Sequence, residues 1–264
     1  MTDADDIAFA LAAICLHAGV PVMNVYANDF MPEQKADRSP VTEADRLAEA
    51  VILDWLKRLM PGVPVLAEES FAAGVRPETG ARFLLVDPVD GTREFIDRNG
   101  EFTINIALVE HGVPVAGCVY APALGQIYAG GRRAFTAAAT PGADIGSLDW
   151  RPIRTRAAPK DGLVALTSRS RVDEAAERFA REHGAARLVP TGSSLKFCKI
   201  AEGAADLYPR FGATMEWDIA AGHAVLAAAG GAVTTPGGDP FTYGKADAGY
   251  QNGPFVAWGR APAG

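Results

Sequence analysis

The amino-acid sequence predicts a mixed α/β protein in two sub-domains, with helices packed on sheets. Three observations carry this. Segments with a helical apolar period alternate with short β-branched runs along the chain. Helical segments of the second half close on glycine, at Gly184, Gly203 and Gly230-Gly231. Residues 136–160 carry no regular pattern and hold the best boundary, dividing the chain into residues 1–140 and 141–264.

The elements follow in order. Residues 3–27 read as a helix, with Asp3, Asp5 and Asp6 against the positive end of its dipole and a kink or break at Gly19-Val20-Pro21. Residues 28–42 are polar and turn-rich, a loop. A second helix runs over residues 43–60, where Leu47, Val51 and Leu56 fall near the 3.6 period and Pro61-Gly62 stops it. VPVLAEES is a strand ending in carboxylates, and FLLVDPVDGT is a strand followed by a turn. Residues 103–128 read as an antiparallel meander, broken at His111-Gly112 and again at Pro122 and Gly125. In the second half LVALTS and ADLYPRF are strands. VDEAAERFAREHG, SSLKFCKIAEG and EWDIAAGHAVLAAAGG are helices, and the tail is strands joined by Gly-rich turns.

Composition excludes several functions. The chain has 264 residues, 48% of them hydrophobic and 22% charged, which argues against disorder and coiled coil. A net charge of −7 and no Lys/Arg run argue against a nucleic-acid polymer as partner. Cys15, Cys118 and Cys198 are too few and too far apart for a disulfide scaffold, and they read as buried packing in a reducing cytoplasm. The four histidines show no metal-ligand spacing. The apolar residues 7–16 are too short to span a bilayer, and their acidic start is unlike a signal peptide, so no transmembrane segment is expected. The chain reads as cytoplasmic, with peripheral association with the inner membrane left open.

The informative feature is where acids fall. In LLVDPVDGT, Asp87 and Asp90 leave an apolar strand three residues apart, Pro88 fixes its own φ, and Gly91 permits a sharp turn. Both carboxylates and the Val89 carbonyl can then aim at one point, and Thr92 opens a short helix whose N–H groups can seat a phosphate. DPVD alone would be an ordinary Asp-Pro turn. Glu68-Glu69 end the preceding strand, where alternation sends one of the two inward. Asp218 and Asp45 sit in first turns of helices, where an acid serves the dipole; Thr42 is a candidate N-cap for the second. Two carboxylates about 4 Å apart repel by roughly 4 kcal/mol at an effective dielectric near 20, so four or five converging acids require cations. Oxygen ligands without His or Cys favour Mg²⁺ over Zn²⁺ and suggest metal-assisted phosphoester hydrolysis.

LAEES, LLVDPVDGTREF and WDIAAGHAVLAAAGG resemble the signatures of the inositol monophosphatase superfamily of Mg²⁺-dependent, lithium-sensitive phosphatases. Within it, GTREFIDRNGEFTINIALVEHGVPVAGCVYAPALGQIYAG and GSSLKFCKIAEGAADLYPRFG resemble the bacterial 3'(2'),5'-bisphosphate nucleotidases of sulfate assimilation. The likeness runs from SPVTEAD to the C-terminal strands. Ile219 departs from it, standing where threonine is expected, in a packing role.

The resemblance implies a layered αβαβα sandwich of the sugar-phosphatase type, with the active site between the sub-domains. It implies two or three Mg²⁺ ions held by Glu68, Asp87, the Val89 carbonyl, Asp90 and Asp218, with Glu69 behind them. Asp45 and Thr92 would act as a pair that orients the attacking water, and the Gly91 and Thr92 N–H groups would hold the phosphate. The substrate implied is adenosine 3',5'-bisphosphate, or its sulfated analogue, with Lys196 and Arg210 on the unreactive phosphate and Ser193 or Ser194 as neutral donors. Ser168, Arg169 or Ser170 would touch base or ribose. Lys35 would approach a third metal or stand solvated in its loop. Tyr208 and Trp217 read as core. An inositol monophosphatase or fructose-1,6-bisphosphatase shares the same metal set, with REFIDRNGEF and SSLKFC as the distinguishing strings, and a sensor on a dead phosphatase scaffold is the non-enzymatic alternative.

Overall fold

A computed structural model of the chain describes residues 3–34 and 40–260. Helix α1 spans Ala4–Ala27, capped by the Asp3 carboxylate, which accepts from the Asp5 N–H. The break expected at Gly19-Val20-Pro21 does not occur, and the helix continues through Pro21. Tertiary packing outweighs the local cost of proline here: Leu16, Ala18 and Val22 around Pro21 are all fully buried. At 24 residues, α1 is long and apolar enough to cross a membrane, but half of its most apolar stretch is buried against the rest of the protein. It is a core helix.

The loop expected over residues 28–42 contains a two-residue pair, β1 (Glu33–Gln34) and β2 (Pro40–Val41). Lys35 lies outside the described residues. Helix α2 (Glu43–Leu59) matches its apolar period and stops before Pro61-Gly62. Strand β3 (Val65–Ala67) passes directly into a short helix α3 (Glu68–Ala72). Glu68 and Glu69 thus open a helix instead of ending a strand, and alternation cannot separate them, because successive helical residues are about 100° apart.

The chain continues through β4 (Arg82–Asp90), α4 (Thr92–Ile96), β5 (Thr103–Glu110), β6 (Val113–Ala121), β7 (Gln126–Gly130), β8 (Ala134–Ala138) and β9 (Arg151–Ile153). Residues 136–160 are therefore only partly irregular, since β8 and β9 pair with each other. Then come β10 (Leu163–Ser168), α5 (Glu174–Glu182), β11 (Ala185–Thr191), α6 (Leu195–Ala201), β12 (Leu207–Arg210), β13 (Thr214–Met215), α7 (Glu216–Ala228), β14 (Ala232–Thr234), β15 (Gln251–Asn252) and β16 (Phe255–Trp258). Strand β11 has no counterpart in the sequence reading. It is an edge strand interrupted by Arg187 and Pro190, which hide its pattern.

Seven strands form the first sheet in the order β3-β4-β5-β6-β7-β8-β9, parallel only at β3–β4. Five form the second, β11-β10-β12-β16-β14. Along β5, Ile104, Ile106 and Leu108 pack with α1 and α2, while Ala107 and Val109 pack with α6 and α7 on the other face. A sheet covered on both faces gives near-continuous apolar strands, which is why the meander is so plain in the sequence. The same α6–α7 layer meets the second sheet through residues such as Phe255 and Ala257, and α5 covers that sheet's far side with Ala180 near Leu207 and Val256. The layers run helices, sheet, helices, sheet, helix. Helix α7 lies hard against the first sheet: a Cβ on Gly130 would come within 2.5 Å of the Val225 Cα. This close contact fixes the start of α7, where Asp218 sits.

Candidate active site

One cleft collects residues from α3, the end of β4, α4, the loop after β10, the turn before α6, β12 and the start of α7. Asp87, Val89 and Asp90 reach it because the β4–β5 register shifts between Asp87 and Asp90. Gly91 follows at φ 91°, a left-handed conformation that side chains resist, and it turns the chain into α4. Glu68, Thr92 and Asp218 line the same cleft. Across from them stand Lys196 and Arg210, with Ser193 and Ser194 at the junction.

The turn before α6 clasps Asp90. One carboxylate oxygen accepts from Ser193 Oγ, from the Ser194 N–H at 2.7 Å and from Ser194 Oγ at 2.9 Å. Ser194 Oγ also accepts from Asn105 Nδ2 at 2.9 Å. The Ser194 hydroxyl lies equally close, at 2.9 Å, to the Asp218 carbonyl, so the two serines, expected as substrate donors, turn their hydroxyls to acceptors of the protein itself. Ser193 sits at φ 53°, and Lys196 braces that strained turn by donating to the carbonyls of Thr191 at 3.1 Å and Ser193 at 2.7 Å. The face of Tyr208 lies 5.0 Å from the same ammonium. Burial lowers the Lys196 pKa to about 8, against the pull of Asp90. Arg210 is buried too, and its Nε has no partner among the described residues. Tyr208 forms part of the cleft wall as well as the core, Ile219 packs in the core at the cleft's edge, and Trp217 packs against Phe71.

Asp218 Oδ2 accepts from the Met215 N–H at 2.8 Å, closing the first turn of α7. Burial raises the Asp218 pKa well above the carboxylate range, and the charges of Asp90 and Glu68 add to the rise. Asp45 is placed differently from the expected pair. Its carboxylate accepts from the Thr42 N–H and hydroxyl, both at 2.8 Å, while the Thr92 hydroxyl donates to the Val89 carbonyl at 3.4 Å. Thr42 caps α2 as expected, and burial raises the Asp45 pKa to about 7.

Two supporting groups, Glu49 and Glu101, carry no signal in the local sequence. Glu49 on α2 accepts from the Glu69 and Ser70 N–H groups, both at 2.8 Å, and from Ser70 Oγ, pinning the first turn of α3 that carries Glu68. It separates the two glutamates: Glu68 lines the cleft, and Glu69 presents its backbone to Glu49. Glu101 holds Arg169 through two hydrogen bonds of 2.7 and 2.8 Å, so Arg169 is turned to this clamp while Ser168, Ser170 and Arg171 line the cleft. Arg93 and Glu94 also line it. No local pattern marks the roles of Glu49 and Glu101, because each depends on a partner far away in sequence.

A model of the inositol monophosphatase family matches residues 3–260. The chain belongs to that family. It is 44% identical over 230 residues to the 3'(2'),5'-bisphosphate nucleotidase CysQ of Escherichia coli strain K12, covering 86% of this chain and 89% of that one. The crystal structure of CysQ from Bacteroides thetaiotaomicron superposes with a TM-score of 0.78 at 36% identity, over 97% of this chain and 98% of that one. An inositol monophosphatase from Thermotoga maritima superposes with a TM-score of 0.75 at 26% identity, over 97% of this chain and 92% of that one.

Membership of this family implies a metal-dependent phosphatase, and the donor set fits hard divalent cations. Glu68, Asp87, Asp90, Asp218 and the Val89 carbonyl offer oxygen alone, with no His or Cys among the lining residues. Burial, with the charges of Asp90 and Glu68 adding to it, raises the Asp218 pKa, and a bound cation would favour the ionised carboxylate there. Among the described residues no three such side chains surround a single point, so these ligands line a cleft and do not form a closed cage.

Proposed function

We propose that this protein is a cytoplasmic 3'(2'),5'-bisphosphate nucleotidase that removes the 3'-phosphate from adenosine 3',5'-bisphosphate, giving AMP and phosphate with two or three Mg²⁺ ions. The observation that carries the substrate is the second wall of the cleft. Hydrolysis of a phosphomonoester needs the acids and their metals. A buried Arg210 with an unpartnered Nε, beside the buried Lys196, is the environment for a further anionic group. The 44% identity to the Escherichia coli nucleotidase supports the same choice.

Glu68, Asp87, the Val89 carbonyl, Asp90 and Asp218 hold the cations. When bound, these supply charge at the phosphoryl oxygens and acidify the attacking water. The N–H groups of Gly91 and Thr92 hold the scissile phosphate, and the Thr92 hydroxyl orients the water. For a proton to pass on to Asp45, the Thr92 hydroxyl must turn from the Val89 carbonyl. Asp45, near neutrality in pKa, is then a suitable acceptor. Ser193 and Ser194 act through Asp90, keeping one of its oxygens fixed. Arg210 binds the unreactive 5'-phosphate directly, and Lys196 adds its charge from behind the Ser193 turn.

The test is phosphate release in Mg²⁺ from adenosine 3',5'-bisphosphate, its sulfated analogue, inositol 1-phosphate and fructose 1,6-bisphosphate. The nucleotide is expected to give the highest kcat/KM. A preference for inositol phosphate or fructose bisphosphate would replace this reading with a sugar phosphatase.

A further inference from the structure

Glu94 is the one acid of the cleft that neither the cations nor the phosphates of the proposed reaction use. It lies in REFIDRNGEF, is 4% exposed, and lines the cleft. Its position is built from two glycines. A Cβ on Gly91 would sit 3.3 Å from Glu94 Oε2, and a Cβ on Gly192 would sit 2.9 Å from Glu94 Cγ. Side chains at either position would push the carboxylate away.

Among the described residues no donor bonds that carboxylate. It does not close a capping box on α4, whose N-cap is Gly91. Lys196 and Arg169 both feel its charge, but their hydrogen bonds go to the Thr191 and Ser193 carbonyls and to Glu101. Glu101, seven residues on, shows the contrast, accepting from Arg169 and from the Gly192 N–H at 2.6 Å. A carboxylate is acceptor-only, and it repels phosphate oxygens. An acceptor that faces the cleft without a protein donor, on a residue otherwise buried, favours the ligand that brings the donor.

We propose that Glu94 accepts a hydrogen bond from the substrate hydroxyl on the sugar carbon next to the one bearing the scissile phosphate. In a 3'-phosphorylated nucleotide this is the ribose 2'-hydroxyl. Oε2 lies beside Gly91, whose N–H is assigned to that phosphate, so the neighbouring carbon is the part of the substrate within its reach. Glu94 thereby selects ribonucleotides over deoxyribonucleotides. The assignment rests on the nucleotidase reading and adds a specificity contact to it.

The experiment is kcat/KM for adenosine 3',5'-bisphosphate and its 2'-deoxy counterpart, measured on the wild type, Glu94→Gln and Glu94→Met. The wild type is expected to favour the ribonucleotide by about ten- to a hundred-fold, the worth of a hydrogen bond to a charged group. Glu94→Met should bring the ratio to within about threefold, and Glu94→Gln, which keeps a neutral acceptor, should retain part of it. A merely structural role lowers both substrates equally and leaves the ratio alone, which overturns the proposal. So does a wild type that does not discriminate. An unchanged ratio with a raised Mg²⁺ requirement would make Glu94 a cation ligand and overturn it too. A wild type that turns over neither nucleotide overturns the nucleotidase reading and this contact together.

Discussion

Asp90 and Arg210 face one cleft from opposite sheets, and their surroundings differ. Asp90 has an oxygen filled by three donors from the Ser193-Ser194 turn. Arg210 is the more deeply buried of the two, yet its Nε is unpartnered among the described residues. Folding clasps Asp90 and leaves the Arg210 Nε open on the cation wall, while behind the clasp the Asn105 Oδ1 also lacks a partner among the described residues. Since an unmade buried hydrogen bond is costly, the cation wall gains most when an anion arrives. On the function proposed above, the acid wall does the chemistry and the cation wall chooses the substrate. The turn at 191–194 joins them, because Lys196 braces the serines that hold Asp90.

The division can be broken most sharply at the acid wall. Chelating divalent cations should abolish phosphate release by the wild type, and adding Mg²⁺ back should restore it; full activity in excess chelator would remove the metals from the account. Asp90→Asn keeps the shape and removes the charge, so turnover should fall by about a hundred- to a thousand-fold or more. Its melting curve should stay close to that of the wild type. A large drop in melting temperature would mean that the clasp on Asp90 serves the fold first.

A smaller effect comes from outside both walls and gives the scale of a fold-only change. Burial, with the charge of Lys245, lowers the His223 pKa from 6.5 to about 4, and Nδ1 lies 3.0 Å from the Tyr243 hydroxyl. As pH falls below about 6.5 the unfolded chain takes up this proton before the folded one, so folded stability declines down to about pH 4. The limit is about 3 kcal/mol. Above pH 6.5 the group adds no pH dependence. His223→Gln should flatten this part of the melting-temperature profile between pH 6.5 and 4; a profile parallel to wild type would show that His223 does not titrate as buried.

The smallest effect sharpens the acid wall from behind. Glu49→Gln weakens the three hydrogen bonds on the first turn of α3. The Mg²⁺ concentration for half-maximal activity should rise by about tenfold with kcat at saturation nearly kept. Isothermal titration with Mg²⁺ should show the same shift, and an unchanged affinity would confine Glu49 to capping α3.

The two walls also differed in how far the sequence revealed them. Asp87, Asp90 and Asp218 stand in runs where strand end, turn glycine and helix start are local signals, and the structure brings them to one cleft with Glu68. The meander was legible because both faces of its sheet are buried. Strand β11 was not, since an edge strand tolerates Arg187 and Pro190. Lys196 and Arg210 were found only through whole strings, and their bonding is set by a carbonyl pair and an empty donor that no spacing encodes. The choice between Glu68 and Glu69 needed Glu49, 20 residues before Glu69. Helix α1 runs through Pro21 because the residues around it are buried in a core shared with strands far along the chain, which no local signal encodes.

The claim that one wall reacts and the other selects is tested most directly by Arg210→Ala. Its kcat/KM should be measured on adenosine 3',5'-bisphosphate and on adenosine 3'-monophosphate, beside the wild type. The expected result is a loss of about ten- to a hundred-fold on the bisphosphate, from a charge-assisted contact of roughly 1.5–3 kcal/mol, with the monophosphate changed by less than about threefold. Equal losses on the two substrates would contradict it, showing that Arg210 serves the reacting phosphate or the fold and that the cleft does not divide its work between its walls.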